Sequence, residues 1–368
     1  MSQKQNNINV SLSPDEMDVL LKYRSKQINL ENINTNDALA AYCKERGINT
    51  KEIVSVKHWQ NMSGEPRFSI VTKGQSITSD ILFKQVHSFI SEHAPHIPNK
   101  KRYRKGNHLL VINPADIHIG KYASKTETQD SDYNSEVAVK QGLEGVQGLI
   151  RKAKGFNIEK VLFCIGNDVL HIDNVYTQTT RGTHQDTDNN KWWEHYEIAM
   201  KMYVKCVEML LEVADVDVIH SMSNHDYQSG YHLAMTLKAW FRNCSQVNVD
   251  AGVSHRKYYK YGQNLIGLEH GDGVSKIDNL PMLMAQERAS DWSSTKYRYW
   301  YLHHLHHKIK HKWRDAKDYV GVTIEYLRSP SAADSWHSRK GYTGVNKAVE
   351  AFIHEFNNGQ VARLTHYF

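Results

Sequence analysis

Five short polar clusters in this 368-residue chain carry the residue types that hold divalent cations. They are Asp116-Ile117-His118, Gly166-Asn167-Asp168, Asn224-His225-Asp226, His270-Gly271-Asp272 and His303-His304-Leu305-His306-His307. Together they offer carboxylate, amide and imidazole but no thiolate, a donor set that suits Mn, Fe, Zn or Mg and argues against a structural zinc site. The number of donors suffices for two ions. Each cluster alone says little, because D-x-H arises often by chance and an isolated strand-end histidine usually meets an ordinary hydrogen-bond partner. Their common position says more.

Each of the first four clusters follows an apolar stretch that reads as a strand: His108 to Asn113, Lys160 to Ile165, Asp215 to Ser221 and Gln263 to Glu269. A fifth strand is expected from Tyr319 to Leu327. Helical stretches, Val137 to Lys154 and Glu194 to Val213, lie between some of them, which predicts a layered α/β domain. Ligands in such domains gather at the carboxyl ends of strands, so the clusters are expected to converge on one edge of one sheet. Other chemistries lack their motifs: there is no G-x-S-x-G elbow, no G-x-x-x-x-G-K-S/T phosphate loop and no G-x-G-x-x-G after a strand.

In chain order, D-x-H, G-(N)-D, N-H-D, H-G and H-x-H resemble the calcineurin-like metallophosphoesterase superfamily over residues 107–330. Asn167 is inserted between Gly166 and Asp168, and Ser223 and His303 stand where the superfamily pattern has glycine. The run from Ser329-Pro330 through Asp334, Trp336, His337, Arg339, Lys340 and Tyr342 is similar to tails of phage-encoded members. The resemblance implies a metallophosphoesterase-type sheet sandwich flanked by helices. It also implies two divalent ions, Mn2+ first and Fe, Zn or Mg as alternatives. Asp116, His118, Asp168 and His306 would hold one ion, and Asp168, Asn224, His270 and His304 the other, with Asp168 bridging. His225 is left as the general acid, oriented by Asp226, while a hydroxide between the two cations attacks phosphorus.

The rest of the chain suggests a polymeric substrate. The sequence predicts a smaller, mainly helical N-terminal domain at 1–98, a basic linker at 99–106 and the metallophosphoesterase domain with its C-terminal extension at 107–368. Within the first, Ser13-Pro14-Asp15-Glu16 has the form of a capping box opening a helix to about Gln27. A second helix ends at Gly47 and a third runs from Thr50 through Ile53 and Val56, with the spacing of a helix-turn-helix. Arg67 to Thr72 reads as a strand and Ile77 to His93 as an amphipathic helix. Asn99-Lys100-Lys101-Arg102-Tyr103-Arg104-Lys105-Gly106 could follow a polyphosphate backbone. Lys296, Arg298, Lys308, Lys310, Lys312 and Arg314 interleave with Tyr297, Tyr299, Trp300, Tyr301 and Trp313 as in a groove for nucleic acid; the plain alternative is an amphipathic strand or loop with its aromatics in the core. His303, His307 and His311 also have the spacing of a helical row that binds metal adventitiously.

The polar loop after Asp168 offers His171, Arg181 and His184 as substrate contacts, and the C-terminal run offers Arg339. These features point to a nuclease acting on single- or double-stranded DNA. The alternative is a phosphatase or phosphodiesterase for nucleotides, cyclic nucleotides or phosphoproteins. A silent scaffold would have lost ligands, and none is lost. Composition agrees: a net charge of +6 is compatible with a phosphate-bearing partner without demanding one, and 22 histidines suggest metal. Four scattered cysteines read as reduced core residues. With no apolar run of membrane-spanning length and no secretion signal, a soluble cytoplasmic protein is expected, in the host cytoplasm if phage-encoded.

Overall fold

Alternate residues of β3 (His108–Ile112) face opposite ways, yet Leu109, Leu110, Val111 and Ile112 are all fully buried, so both faces of its sheet are covered. The computed structural model describes residues 36–60, 66–72, 106–274, 276–304, 316–319, 321–341, 344 and 346–368. The chain divides into two compact units, Met1–Phe89 and Ile90–Phe368.

In the first unit a helix, Asn36–Glu45, leads through a 3-10 turn into β1 (Ile53–Gln60), which pairs antiparallel with β2 (Pro66–Thr72). The strand expected near Arg67 is present. The third helix of the expected helix-turn-helix is instead β1: the alternating, β-branched run Ile53-Val54-Ser55-Val56 favours a pleated strand over a helix. The helices expected at 13–27 and 77–93, and linker residues 99–105, lie outside the described residues.

The second unit contains two sheets. The larger has the order β13-β12-β3-β4-β5-β6. Here β4 (Ile158–Gly166), β5 (Asp215–Ser221) and β6 (Val247–Asp250) continue parallel to β3, while β12 (Ala348–Glu355) and β13 (Gly359–Tyr367) form an antiparallel edge. The smaller has the order β10-β11-β9-β8-β7. In it β8 (Asn264–Leu268), β9 (Tyr297–Leu302) and β11 (Val322–Tyr326) are parallel, flanked by antiparallel β7 (Lys257–Tyr261) and β10 (Ala316–Tyr319).

Leu109, Val111, Leu162 and Cys164 from the large sheet pack against Ile266, Leu268 and Tyr301 from the small one. The outer face of the large sheet is covered by the helices Ser135–Lys152, Trp192–Leu211 and Tyr227–Trp240, and that of the small sheet by Leu280–Glu287. The layers therefore run helix, sheet, sheet, helix.

The expected strands before the first four clusters are all observed, and so are both expected helices, to within a few residues. One expectation fails: the clusters do not share one sheet. Three follow β3, β4 and β5, while His270 and His304 follow β8 and β9 in the other sheet. The stretch from Lys296 to Tyr301 is graded along β9, from exposed Lys296 through half-buried Tyr297, Arg298 and Tyr299 to its core end. Trp300 and Tyr301 are fully buried, and Arg298 donates to the backbone carbonyls of Trp292 and Thr295 with its guanidinium 4.0 Å from the Trp292 ring. All four cysteines are buried and free. Among the described residues no helix is long and apolar enough to cross a membrane.

Candidate metal centre

The carboxyl ends of two parallel strand sets meet where the two sheets adjoin, and the chain turns sharply there. Asp116, His118, Asn167, Asp168 and His304 all have positive φ, between 50° and 68°. Only Gln129 and Thr177 share that trait among the other described non-glycine residues. Left-handed backbone at ordinary residues costs energy, and its concentration at one site points to function. Gly166 is required for a related reason. Its φ is 85°, and a Cβ there would fall 2.2 Å from the Ser221 carbonyl oxygen.

The loops after β3 and β4 are zipped together. Asp116 N–H donates to Asn167 O at 2.7 Å, His118 N–H to Asp168 O at 2.9 Å, and Ile119 N–H to Val169 O at 2.7 Å. Asn167, the insertion, is thus a spacer whose carbonyl anchors the first ligand loop. Ser223 also has a specific use: its hydroxyl accepts Asp168 N–H at 2.8 Å and donates to Asp226 Oδ1 at 2.5 Å.

These turns bring the candidate ligands together in two groups that share one residue. Ligating atoms of Asp116, His118 and Asp168 lie within 4.8 Å of one another, as do those of Asp168, His270 and His304. Asn224 joins the second group through its Oδ1, 2.9 Å from His270 Nε2, which is itself 3.1 Å from Asp168 Oδ2. The His304 amide donates to Asp116 and so links the two sheets. His306 lies outside the described residues.

Charge balance favours cations. Asp116, Asp168 and Asp226 are all buried. Burial, with Asp168 adding to it against His270, pushes Asp116 up to about 7. Burial, then Asp168, likewise pushes Asp226 to about 7. Burial also works against ionised Asp168, but His270 and His225 outweigh it and hold that carboxyl well below its usual range. Buried carboxyl groups pushed up in this way lack the positive charge that would keep them ionised, and divalent cations are the natural complement. The buried Nδ1 of His270 has no hydrogen-bond partner. Hard oxygen donors and imidazoles in two groups around a shared carboxylate fit a pair of ions.

Several expected roles change. Asp226 does not orient His225: its carboxylate oxygens take Leu170 N–H at 2.9 Å and the Ser223 hydroxyl. His225 is held otherwise, its Nδ1 2.9 Å from the His171 carbonyl and its N–H donating to Asp168 Oδ1 at 2.9 Å. His171 is 3% exposed and packs behind His118 and His225, so it does not face an incoming substrate. Adjacency to a ligand in sequence did not mean access. Arg181 is exposed and its Nη2 lies 3.5 Å from Asp272 Oδ2; His184 is exposed and bonds Gln178. Arg339 is exposed at the end of the helix Ser335–Arg339.

Two residues not foreseen complete the surroundings. Lys121, 1% exposed, forms an ion pair at 3.1 Å with Asp334, and so ties the C-terminal run to the first ligand loop. Asp173 accepts Gln228 and Ser229 N–H groups at 3.1 and 2.7 Å, which caps the helix that follows His225. Only the position of Asp173 close after a ligand could have signalled this.

No protein-family model matches the sequence, and no curated protein matches it. Among solved structures, a single mutant of Vps29 from Entamoeba histolytica is 14% identical, covering 71% of this chain and 99% of that one, with a TM-score of 0.28. Vps29 from Chaetomium thermophilum is 10% identical, with 71% and 96% covered and a TM-score of 0.28. Purple acid phosphatase PPD1 from yellow lupin is 8% identical, with 84% and 58% covered and a TM-score of 0.32. Similarity this slight leaves the layering to be read from the chain's own strand pairing.

Proposed function

We propose that this protein is a metal-dependent phosphodiesterase whose substrate is DNA. The observation that carries the hydrolase reading is the sharing of Asp168 between two ligand groups built from different sheets. Asp116, His118 and Asp168, with His306, would hold one divalent ion. Asp168, Asn224, His270 and His304 would hold the other. Bound there, the ions supply Lewis acidity for the phosphoryl oxygens and activate water.

The chain's own residues do the rest. A carbonyl only accepts, so His225 Nδ1 carries the proton in its bond to His171 O. As an imidazolium, His225 would carry its second proton on Nε2 and could hand that one to the departing ester oxygen, returning to the neutral ring. Asp168 accepts His225 N–H and fixes that residue's backbone. The hydroxyl of Ser223 and the carboxyl of Asp226 fix the loops carrying Asp168 and Leu170 in turn.

Exposed rings support a substrate that bears bases. Tyr122 directly follows Lys121, and Trp336 lies two residues from its partner Asp334; both rings are exposed. Tyr176 and Tyr227 are exposed close after Asp168 and His225, and Trp192 and Trp193 are about half exposed where the next helix begins. Aromatic faces that stay in water on the segments following the candidate ligands suit base stacking, and Arg181, Arg339 and Lys340 add positive charge.

The test is hydrolysis, with Mn2+, of duplex DNA, single-stranded DNA and bis-p-nitrophenyl phosphate by the wild type and His225→Gln. Both DNAs are expected to be cut, with the variant slower on DNA by about 10²–10⁴-fold. It should lose little on the nitrophenyl ester, whose leaving group needs no proton. Cleavage of the small ester alone would remove DNA from the proposal, and no cleavage of any substrate with Mn, Fe, Zn or Mg would remove hydrolysis.

A further inference from the structure

His171 is the residue at which the two functional histidines meet. Its ring is edge-on to His118, with centroids 5.2 Å apart and planes at 88°, and stacked on His225 at 5.2 Å and 20°. Its Nδ1 lies 3.3 Å from His118 Nδ1. Its backbone carbonyl holds His225 Nδ1, and its own N–H donates to Ile119 O at 3.0 Å, which ties it to the loop of His118. One residue therefore touches a candidate ligand through its side chain and the candidate acid through its backbone.

The proton count assigns the roles. Two imidazole nitrogens that face each other need one donor and one acceptor. If His118 gives Nε2 to a cation, its Nδ1 carries the proton, and His171 must accept at Nδ1 as a neutral ring. Metal-bound histidines ordinarily donate this second N–H to a carboxylate, a carbonyl or water, and the partner sets both ring orientation and ligand strength. An imidazole stands in that place here.

We propose that His171 is a positioning residue: its side chain fixes the tautomer and tilt of His118 for metal binding, and its carbonyl fixes His225. The proposal rests on the phosphodiesterase reading above. It has one rival on geometry, since ligating atoms of His118, His171 and His225 also lie within 4.8 Å of one another and could hold an ion as three imidazoles.

The experiment is calorimetric titration of Mn2+ into the metal-free full chain, as wild type, His171→Phe and His171→Asn. Phenylalanine keeps the ring shape and removes the acceptor, whereas asparagine places an oxygen near the position of Nδ1. Expected is a weakening of one Mn2+ by about 10–100-fold in His171→Phe with two ions still bound, and recovery to within a few-fold in His171→Asn. Unchanged affinity in His171→Phe overturns the proposal alone. Loss of one ion in both variants also overturns it, and makes His171 a ligand. A wild type that takes up no Mn2+ brings down the phosphodiesterase reading and this proposal together.

A second measurement needs no variant. Long-range 1H–15N spectra of the Mg2+-loaded wild type should show the proton on Nδ1 of His118 and on Nε2 of His171. The reverse pattern overturns the proposal even if His171→Phe fails to fold.

Discussion

His354 sits between the two sheets and His270 at their carboxyl end, both essentially without solvent exposure, yet their protonation is driven in opposite directions. His354 has neutral partners, the Tyr301 hydroxyl at 2.9 Å and Asn264 Oδ1 at 3.3 Å, and burial pushes it down to about 3. Burial acts on His270 in the same sense. There Asp168 at 3.1 Å, helped by Asp116, outweighs it and lifts the ring to about 9. A low dielectric strengthens whatever a buried group faces: neutral dipoles in the core, carboxylates at the site. Histidine count alone therefore mixes structural and functional rings, and the partner separates them.

The sharpest way to break this contrast is to remove the carboxylate. Asp168→Asn takes one oxygen donor and one charge from both ligand groups at once. It should lower Mn2+ stoichiometry in calorimetry and cut hydrolysis by about 10³-fold or more, to the level of chelated wild type, since several kcal/mol of charge stabilisation depend on the ions. Two Mn2+ ions bound at wild-type affinity would show that the carboxylate does not bridge and that the imidazoles suffice.

The core side of the contrast predicts a pH dependence. His354 at about 3 and His220, which burial followed by Lys257 lowers to about 4, both lie below the ordinary value of 6.5. Above pH 6.5 each ring is neutral in folded and unfolded chains alike. Below it the unfolded chain takes up protons that the folded one refuses, so stability falls as pH drops from about 6.5 towards 4, by roughly a few kcal/mol. His354→Gln removes one titrating group, and its urea midpoints at pH 7 and pH 4.5 should differ less than those of the wild type. Equal acid sensitivity in the two proteins would mean that His354 is not held neutral by the fold.

What could be read ahead of the structure follows the same division between local and non-local information. Strands buried on both faces are unbroken apolar runs, so Leu109 to Ile112 and Val161 to Ile165 stand out, and the polar clusters after them stand out with them. Strand pairing is not written locally. That is why the sequence places His270 on the sheet of Asp116 and Asp168, and why it gives no sign of β6, β7, β12 and β13. The partner of a buried polar atom is equally non-local: Asp226 follows His225 directly, yet its oxygens serve Leu170 and Ser223. Asn167 and Ser223 were visible as departures from a pattern, but their uses, anchoring Asp116 and Asp168, depend on loops that meet only in the fold.

The smallest effect expected is at the mouth of the site, where Arg181 is 76% and Asp272 19% exposed. Their contact at 3.5 Å joins the loop after β4 to the loop after β8. Such a pair contributes at most about 1 kcal/mol, because water and salt screen it. A phosphate diester would offer Arg181 a stronger, forked hydrogen bond than this one. Arg181→Ala should therefore leave the melting temperature unchanged and raise KM for DNA by about 3–10-fold at nearly constant kcat, the scale of 1 kcal/mol or slightly more. Asp272→Asn should lower KM slightly by releasing the guanidinium. If neither substitution moves KM, Arg181 is solvated surface like its neighbour His184, and the contrast between buried charge that acts and exposed charge that does not would extend to the rim of the site itself.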